Sequence, residues 1–301
     1  MSTCIQEYQF EAVLGKGTFG TVHLVRRKKD LKPFVIKEQD LTINIASNQS
    51  FGMALREVQY LQKMRHPNIV AYRAAWIEND TSYILMEYAT RGTLKDLLEK
   101  REVPLMEENA LYLFAQITLG VHHIHTKKII HRDLKPENIL LTGRRGDVVK
   151  ISDFGVSKDI HEESMSRAGS YYYMAPEMLS DEPYDMKSDV WGMGVILYEM
   201  VTKRLPFPAS DLPEMTRMVC NEKPKPLPAS ISTSTLRLIS KMLKKQVAYR
   251  PSTDQLVLCP YLVPCIARVH LNLGRILNVA RQDKENLDLR IFQYYIKSRN
   301  Q

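Results

Sequence analysis

His131-Arg132-Asp133-Leu134-Lys135-Pro136-Glu137-Asn138 decides the reading of this 301-residue chain. It sets a carboxylate, a cation two positions on and an amide five positions on along one short stretch. That spacing suits transfer of a phosphoryl group. Asp133 can orient an acceptor hydroxyl and take its proton, Lys135 can neutralise charge on the moving group, and Asn138 can hold a metal ion through its amide oxygen. Eight residues could fall together by chance. Here Asp153-Phe154-Gly155 begins fifteen residues after Asn138, and a glycine-rich turn and Lys37 precede, in the order this chemistry requires.

The glycine-rich turn is Gly15-Lys16-Gly17-Thr18-Phe19-Gly20-Thr21-Val22, with Leu14 just before it. Glycines let the backbone approach phosphate oxygens without a Cβ in the way, and their amides can donate to them. A dinucleotide site would need a helix directly after the glycines. A strand pattern follows instead, then Phe34-Val35-Ile36-Lys37.

Composition narrows the class. Apolar residues make up 44% and charged residues 25%, as in ordinary globular proteins. The formal net charge is +8. With no aromatic-basic repeat and no nucleic-acid module, the charge reads as a solvated basic surface, and no nucleic-acid partner is expected. Cys4, Cys220, Cys259 and Cys265 lack metal-ligand spacing and imply reduced thiols in an intracellular setting, without zinc. The first residues carry no apolar signal core. The apolar run 190–201 is too short to cross a bilayer and contains Glu199, so no membrane association is expected.

Alternation of apolar and polar residues predicts strands over 8–15, 21–27, 32–38, 69–77 and 81–88, with one helix over 51–64. Helical periodicity takes over after Leu94, over 107–125, 190–202, 212–221 and 235–244. Residues 89–92 read as a hinge. Leu273, Ile276, Leu277 and Ala280 share one face, which makes 265–301 a partly helical tail able to pack on the large lobe or engage a partner.

These motifs resemble the eukaryotic protein kinases over residues 8–264. The resemblance implies an α+β fold of two lobes: a small five-stranded β-rich lobe with one key helix (1–88), a larger mainly α-helical lobe (89–264), and the tail. Lys37 is expected on the α- and β-phosphates of ATP, and Glu57 is its expected ion partner. Met86 takes the gatekeeper position, and Glu87-Tyr88-Ala89 the adenine-binding hinge backbone. Val35 stands where the family has alanine, which narrows the roof over the adenine. Asp153 and Asn138 are expected to ligate Mg²⁺ or Mn²⁺ through oxygen, as suits a hard cation. Phe154, His131, Leu61 and Tyr72 map onto an apolar column joining the lobes. Asp189 resembles the brace of the catalytic loop, and Glu177 is expected to pair with Arg250. Ser166, then Ser164, is the expected activating phosphosite, facing Arg132, while Ser170 is expected to hydrogen-bond Asp133 and Lys135.

His66-Pro67-Asn68-Ile69-Val70, Asp153-Phe154-Gly155-Val156-Ser157-Lys158 and the tyrosines before Met174-Ala175-Pro176-Glu177 are similar to the NIMA-related (NEK) kinases. The chain departs from them at Gly169-Ser170-Tyr171-Tyr172-Tyr173, where the usual proline is missing. The implied activity is ATP-dependent phosphorylation of Ser and Thr hydroxyls in protein substrates, in cell-cycle, microtubule or cilium regulation. The implied location is cytoplasmic, at the cytoskeleton, centrosome or nucleus. A nucleotide-binding pseudokinase scaffold and a small-molecule kinase are the alternatives. The first is disfavoured by the full set of Lys37, Glu57, Asp133, Asn138 and Asp153, the second by Ala175-Pro176-Glu177 and a full activation segment.

Overall fold

The computed structural model describes residues 4–17, 20–41, 58–59, 61–153 and 170–276. Alternating side chains form a five-stranded antiparallel sheet. It comprises β1 (Tyr8–Gly17), β2 (Gly20–Arg27), β3 (Pro33–Asp40), β4 (Tyr72–Glu78) and β5 (Thr81–Glu87), in the order β1-β2-β3-β5-β4. Val25, Ile36 and Leu85 close a small core with Tyr8, whose ring stacks on Trp76 at 6.1 Å. Of the helix expected over 51–64, residues 58–59 and 61–64 are described; 58–59 and 61–63 are helical, and Met64 lies past the helical residues.

Strand β4 starts three residues later than its apolar pattern suggests. Ile69 and Val70 are buried by pairing elsewhere. Ile69 forms a parallel bridge with Ile151, and the Val70 amide donates to the Ile151 carbonyl at 2.9 Å. Ile151 ends β7 (Val148–Ile151), which pairs with β6 (Ile139–Thr142).

The rest is helical: α1 (Leu94–Glu99), α2 (Glu107–Thr126), α3 (Pro176–Leu179), α4 (Met186–Thr202), α5 (Leu212–Asn221), α6 (Thr233–Met242), α7 (Thr253–Val257) and α8 (Val263–Ile276). Helix α4 is buried almost all round, so it forms the centre of this lobe. It begins four residues before its apolar run because Asp185 caps it, accepting from the Lys187 amide at 2.6 Å. Helix α6 is likewise set by its cap, Ser232, rather than by the last apolar residue. Ile266 and Val269 of α8 are fully buried and the helix packs along α2. The division expected after residue 264 thus falls inside α8. Leu277 and Ala280, and the side chains of Leu273 and Ile276, lie outside what is described.

The link between lobes is stitched to β6. The Arg91 amide donates to the Leu141 carbonyl at 3.0 Å, and the Leu141 amide to the Gly92 carbonyl at 2.8 Å. Gly92 has φ 73°, and a Cβ there would meet the Asp96 carboxylate at 2.7 Å, so the turn into α1 requires glycine.

Candidate active site

Residues 131–138 are held from below by one carboxylate. Asp189 on α4 accepts the His131 amide at 2.8 Å and the Arg132 amide at 2.9 Å. His125 Nε2 lies 2.8 Å from the same carboxylate, with its Nδ1 3.2 Å from the Thr253 hydroxyl. Burial alone would raise the Asp189 pKa; the His125 hydrogen bond, with the His131 amide, outweighs it and keeps the group low and ionised. This anchoring holds Arg132 at φ 70°, in the left-handed region.

The His131 ring carries order across the cleft. Its Nδ1 accepts from the Asp133 amide at 3.3 Å, which leaves Nε2 to donate to the Ser152 carbonyl at 2.9 Å. The Ser152 amide donates to the Asn138 carbonyl at 3.0 Å. Asp153 follows directly, exposed and at φ 53°. Two residues in strained backbone thus sit on the two segments that the sequence marks for chemistry.

Asp133 is buried at 7% exposure, and its Oδ2 lies 3.1 Å from Lys135 Nζ. Asn138 Nδ2 donates to that same oxygen at 3.0 Å and to the Asp133 carbonyl at 2.7 Å. Both amide protons are engaged, which fixes the orientation of the group and turns Oδ1 away from Asp133. Asn138 and Asp153 therefore offer only oxygen, the donor set a hard divalent cation takes.

On the sheet, Lys37 of β3 lies opposite Val22 of β2 and Ile84 of β5. Val35 lies opposite Leu24 and Met86, and Met86 opposite Tyr72. Thr21 pairs with Lys16, and Gly15 with Val22. Among the described residues, a Cβ on Gly15 would meet nothing within 4 Å, so there is open space beside it. A Cβ on Gly20, at φ 124°, would overlap the Glu38 carbonyl. Leu14 is exposed on β1 and Ala89 is buried beside the link. Leu61 and His131 are buried, and the Tyr72 hydroxyl has Gln62 Nε2 at 3.3 Å. Thr18, Phe19, Glu57, Phe154, Ser164, Ser166 and the side chain of Ser170 lie outside the described residues.

Glu177 and Arg250 meet in a buried fork at 2.6 and 2.7 Å. Lys150, not singled out by its motif, forms a 2.7 Å ion pair with Glu87 at the end of β5. One signal was available: a lone lysine in Val148-Val149-Lys150-Ile151, a strand buried at every position, needs an acidic partner.

The protein kinase domain family matches residues 8–262. This chain belongs to that family. Among its relatives, the mouse serine/threonine-protein kinase Nek4 is 34% identical over 285 residues, 93% of this chain and 35% of Nek4. The Caenorhabditis elegans serine/threonine-protein kinase nekl-2 is 33% identical over 90% of this chain and 79% of its own length. Human Nek5 is 35% identical over 86% of this chain and 37% of its own length. The chain thus spans well under half of Nek4 and Nek5. Among the described residues, no helix is long and apolar enough to cross a membrane.

Proposed function

We propose that the chain is an ATP-dependent protein serine/threonine kinase of the NIMA-related group, dividing at residues 88/89 into its two lobes. The observation that carries this is the state of Asp133: buried, beside Lys135, and fixed by both protons of Asn138.

The acceptor hydroxyl would sit against Asp133. Its oxygen forms the new bond to the γ-phosphorus, the bond from that phosphorus to the bridging oxygen of ADP breaks, and the hydroxyl proton passes to Asp133. Lys135 lies close enough to offset charge on the transferring group. Leu14 to Val22, with the open space beside Gly15, would cover the phosphates, and Lys37 would pair with the α- and β-phosphates. Val35, Met86, Glu87 and Ala89 would frame the adenine, with Glu57 orienting Lys37. Asn138 and Asp153 would hold Mg²⁺, or Mn²⁺, whose chemistry here is to neutralise phosphate charge.

The substrates are proteins with Ser or Thr acceptors. Lys135 and the Ser170 region resemble serine/threonine-directed relatives, and a phenol would extend too far from Asp133. Phosphorylation at Ser166, or Ser164, would order the activation segment through Arg132. Arg132 is poised for an anion: its guanidinium lies 5.5 Å over the Tyr184 ring, and its buried Nε has no hydrogen-bond partner among the described residues. A cytoplasmic, cytoskeletal, centrosomal or nuclear site and a helical partner for the tail belong to the same reading. The pseudokinase alternative is not supported.

Transfer of radiolabelled phosphate from ATP to a generic protein substrate, followed by phosphoamino-acid analysis, tests the reading. Phosphoserine and phosphothreonine are expected. No transfer with magnesium present, or a pool dominated by phosphotyrosine, would overturn it.

A further inference from the structure

The ion pair between Glu87 and Lys150 does something the transfer chemistry does not require. Glu87 is the last residue of β5, where the chain leaves the sheet for the link to α1. Its amide donates to the Ala71 carbonyl at 3.0 Å. Its Oε1 accepts from the Ala71 amide at 2.8 Å and stands 2.7 Å from Lys150 Nζ. Lys150 is 8% exposed and lies on β7, three residues before Asp153. The segment before β4 is tied to the same strand, because the Ile151 amide donates to the Asn68 carbonyl at 2.9 Å. One carboxylate therefore joins the end of the sheet, the approach to β4 and the strand that leads to Asp153.

We propose that Glu87 and Lys150 form a positioning latch: the pair clamps the hinge to β7 and so sets how tightly the cleft retains nucleotide. This rests on the kinase reading above. A lysine buried in an apolar strand is costly unless paired, so the pair strongly favours the arrangement in which the hinge lies against β7. A cavity of about 840 Å³, lined in part by Leu61, Met64, Tyr72 and Arg73, adjoins both residues. Space is thus available for the hinge to swing once the clamp is off. With the ammonium removed, the Glu87 carboxylate keeps only the Ala71 amide among the described residues, and it is drawn towards water. The adenine-facing backbone at 86–89 moves with it, and nucleotide leaves faster.

A purely structural role makes a different forecast. It would lower the folded fraction, and with it kcat, while leaving ATP KM and nucleotide dissociation per folded molecule unchanged. The test uses the full chain and the variant Lys150→Met, which keeps the stem and removes the charge, with Lys150→Arg as the conservative rescue. Release of a fluorescent ADP analogue is followed by stopped flow, ATP KM and kcat in steady state, and the Ala71 amide by hydrogen exchange without nucleotide. The latch predicts that dissociation rate and KM rise together by at least about fivefold, the low end of coupling between linked sites. It also predicts faster Ala71 exchange and recovery towards native values with arginine. Should the methionine variant not fold, Glu87→Gln keeps an acceptor for Ala71 and removes the charge, and the same rise is expected. Native dissociation and KM in a folded charge-removed variant would overturn the latch, whatever happens to kcat. If the native chain bound no nucleotide, the kinase reading would fall by itself. The exchange arm then decides: unchanged Ala71 exchange in Lys150→Met overturns the clamp.

Discussion

Replacing Arg250 by methionine should cost more stability than any single change at the catalytic loop. The guanidinium has five N–H donors, and five acceptors surround it. Glu177 takes two, at 2.6 and 2.7 Å. The carbonyls of Lys244, Lys187 and Lys245 take the others, at 2.7, 3.2 and 3.0 Å. The plane lies 5.1 Å from the centre of the Trp191 ring, and only 1% of the residue is exposed. Methionine fills the stem but supplies no donor. Glu177, 4% exposed, is left with the Ser188 hydroxyl at 2.5 Å as its remaining side-chain donor. Breaking a buried pair from one side costs about 3–5 kcal/mol. Three orphaned carbonyls add about 1 kcal/mol or more. The expected loss is about 4–6 kcal/mol, against a total stability of about 5–15 kcal/mol for a typical domain. Urea unfolding followed by tryptophan fluorescence measures it. The pH dependence has a definite sign. Burial works to raise the Glu177 pKa, but the hydrogen bonds from Arg250 and Ser188 outweigh it, so the folded value is lowered. The contribution is therefore whole above the ordinary carboxylate range and is lost as pH falls through the lowered value. A loss under about 1.5 kcal/mol at neutral pH would refute the reasoning, because it would mean the buried carboxylate was not relying on the arginine.

Asp133→Asn should lower kcat by about a hundredfold or more while nucleotide affinity stays near native, as steady-state kinetics and nucleotide titration would show. Gly20→Ala should destabilise the sheet where β2 meets β3, since its Cβ would overlap the Glu38 carbonyl at a backbone φ of 124°; a lowered urea midpoint checks this. His66, stacked on His123 at 5.1 Å, has its pKa lowered to about 3, first by burial and then by the charges of His123, His270 and Lys150. The unfolded chain takes up that proton near pH 6.5, so stability should decline as pH falls from about 6.5 towards 3, and His66→Gln should flatten the decline in unfolding midpoints.

The sequence announces the elements that depend on local chemistry. The sheet was legible because apolar and polar residues alternate along its strands, and Tyr8, Val25, Ile36 and Leu85, one from each of four strands, meet in its small core. The catalytic loop was legible because Asp133, Lys135 and Asn138 interact within five residues of one another. What stayed hidden depends on partners far along the chain. Ile69 and Val70 look like more of β4, yet Ile151, about eighty residues away, claims them. His125 looked like one more residue on a long helix; its bond to Asp189 needs α2 and α4 to be packed first. Glu87 drew notice for its backbone, while its side chain reaches Lys150 across 63 positions.

Position 138 counts protons. Aspartate there would match asparagine in shape, but it would bring no donor to Asp133, whose side-chain oxygen and carbonyl accept at 3.0 and 2.7 Å. Two carboxylates would then face each other in a buried site, and one would have to keep its proton near neutrality. With that proton on Asp133, the base is silenced by a change of one heavy atom that leaves the loop's outline intact. Direct hydrolysis of the Asn138 side-chain amide would produce that same change.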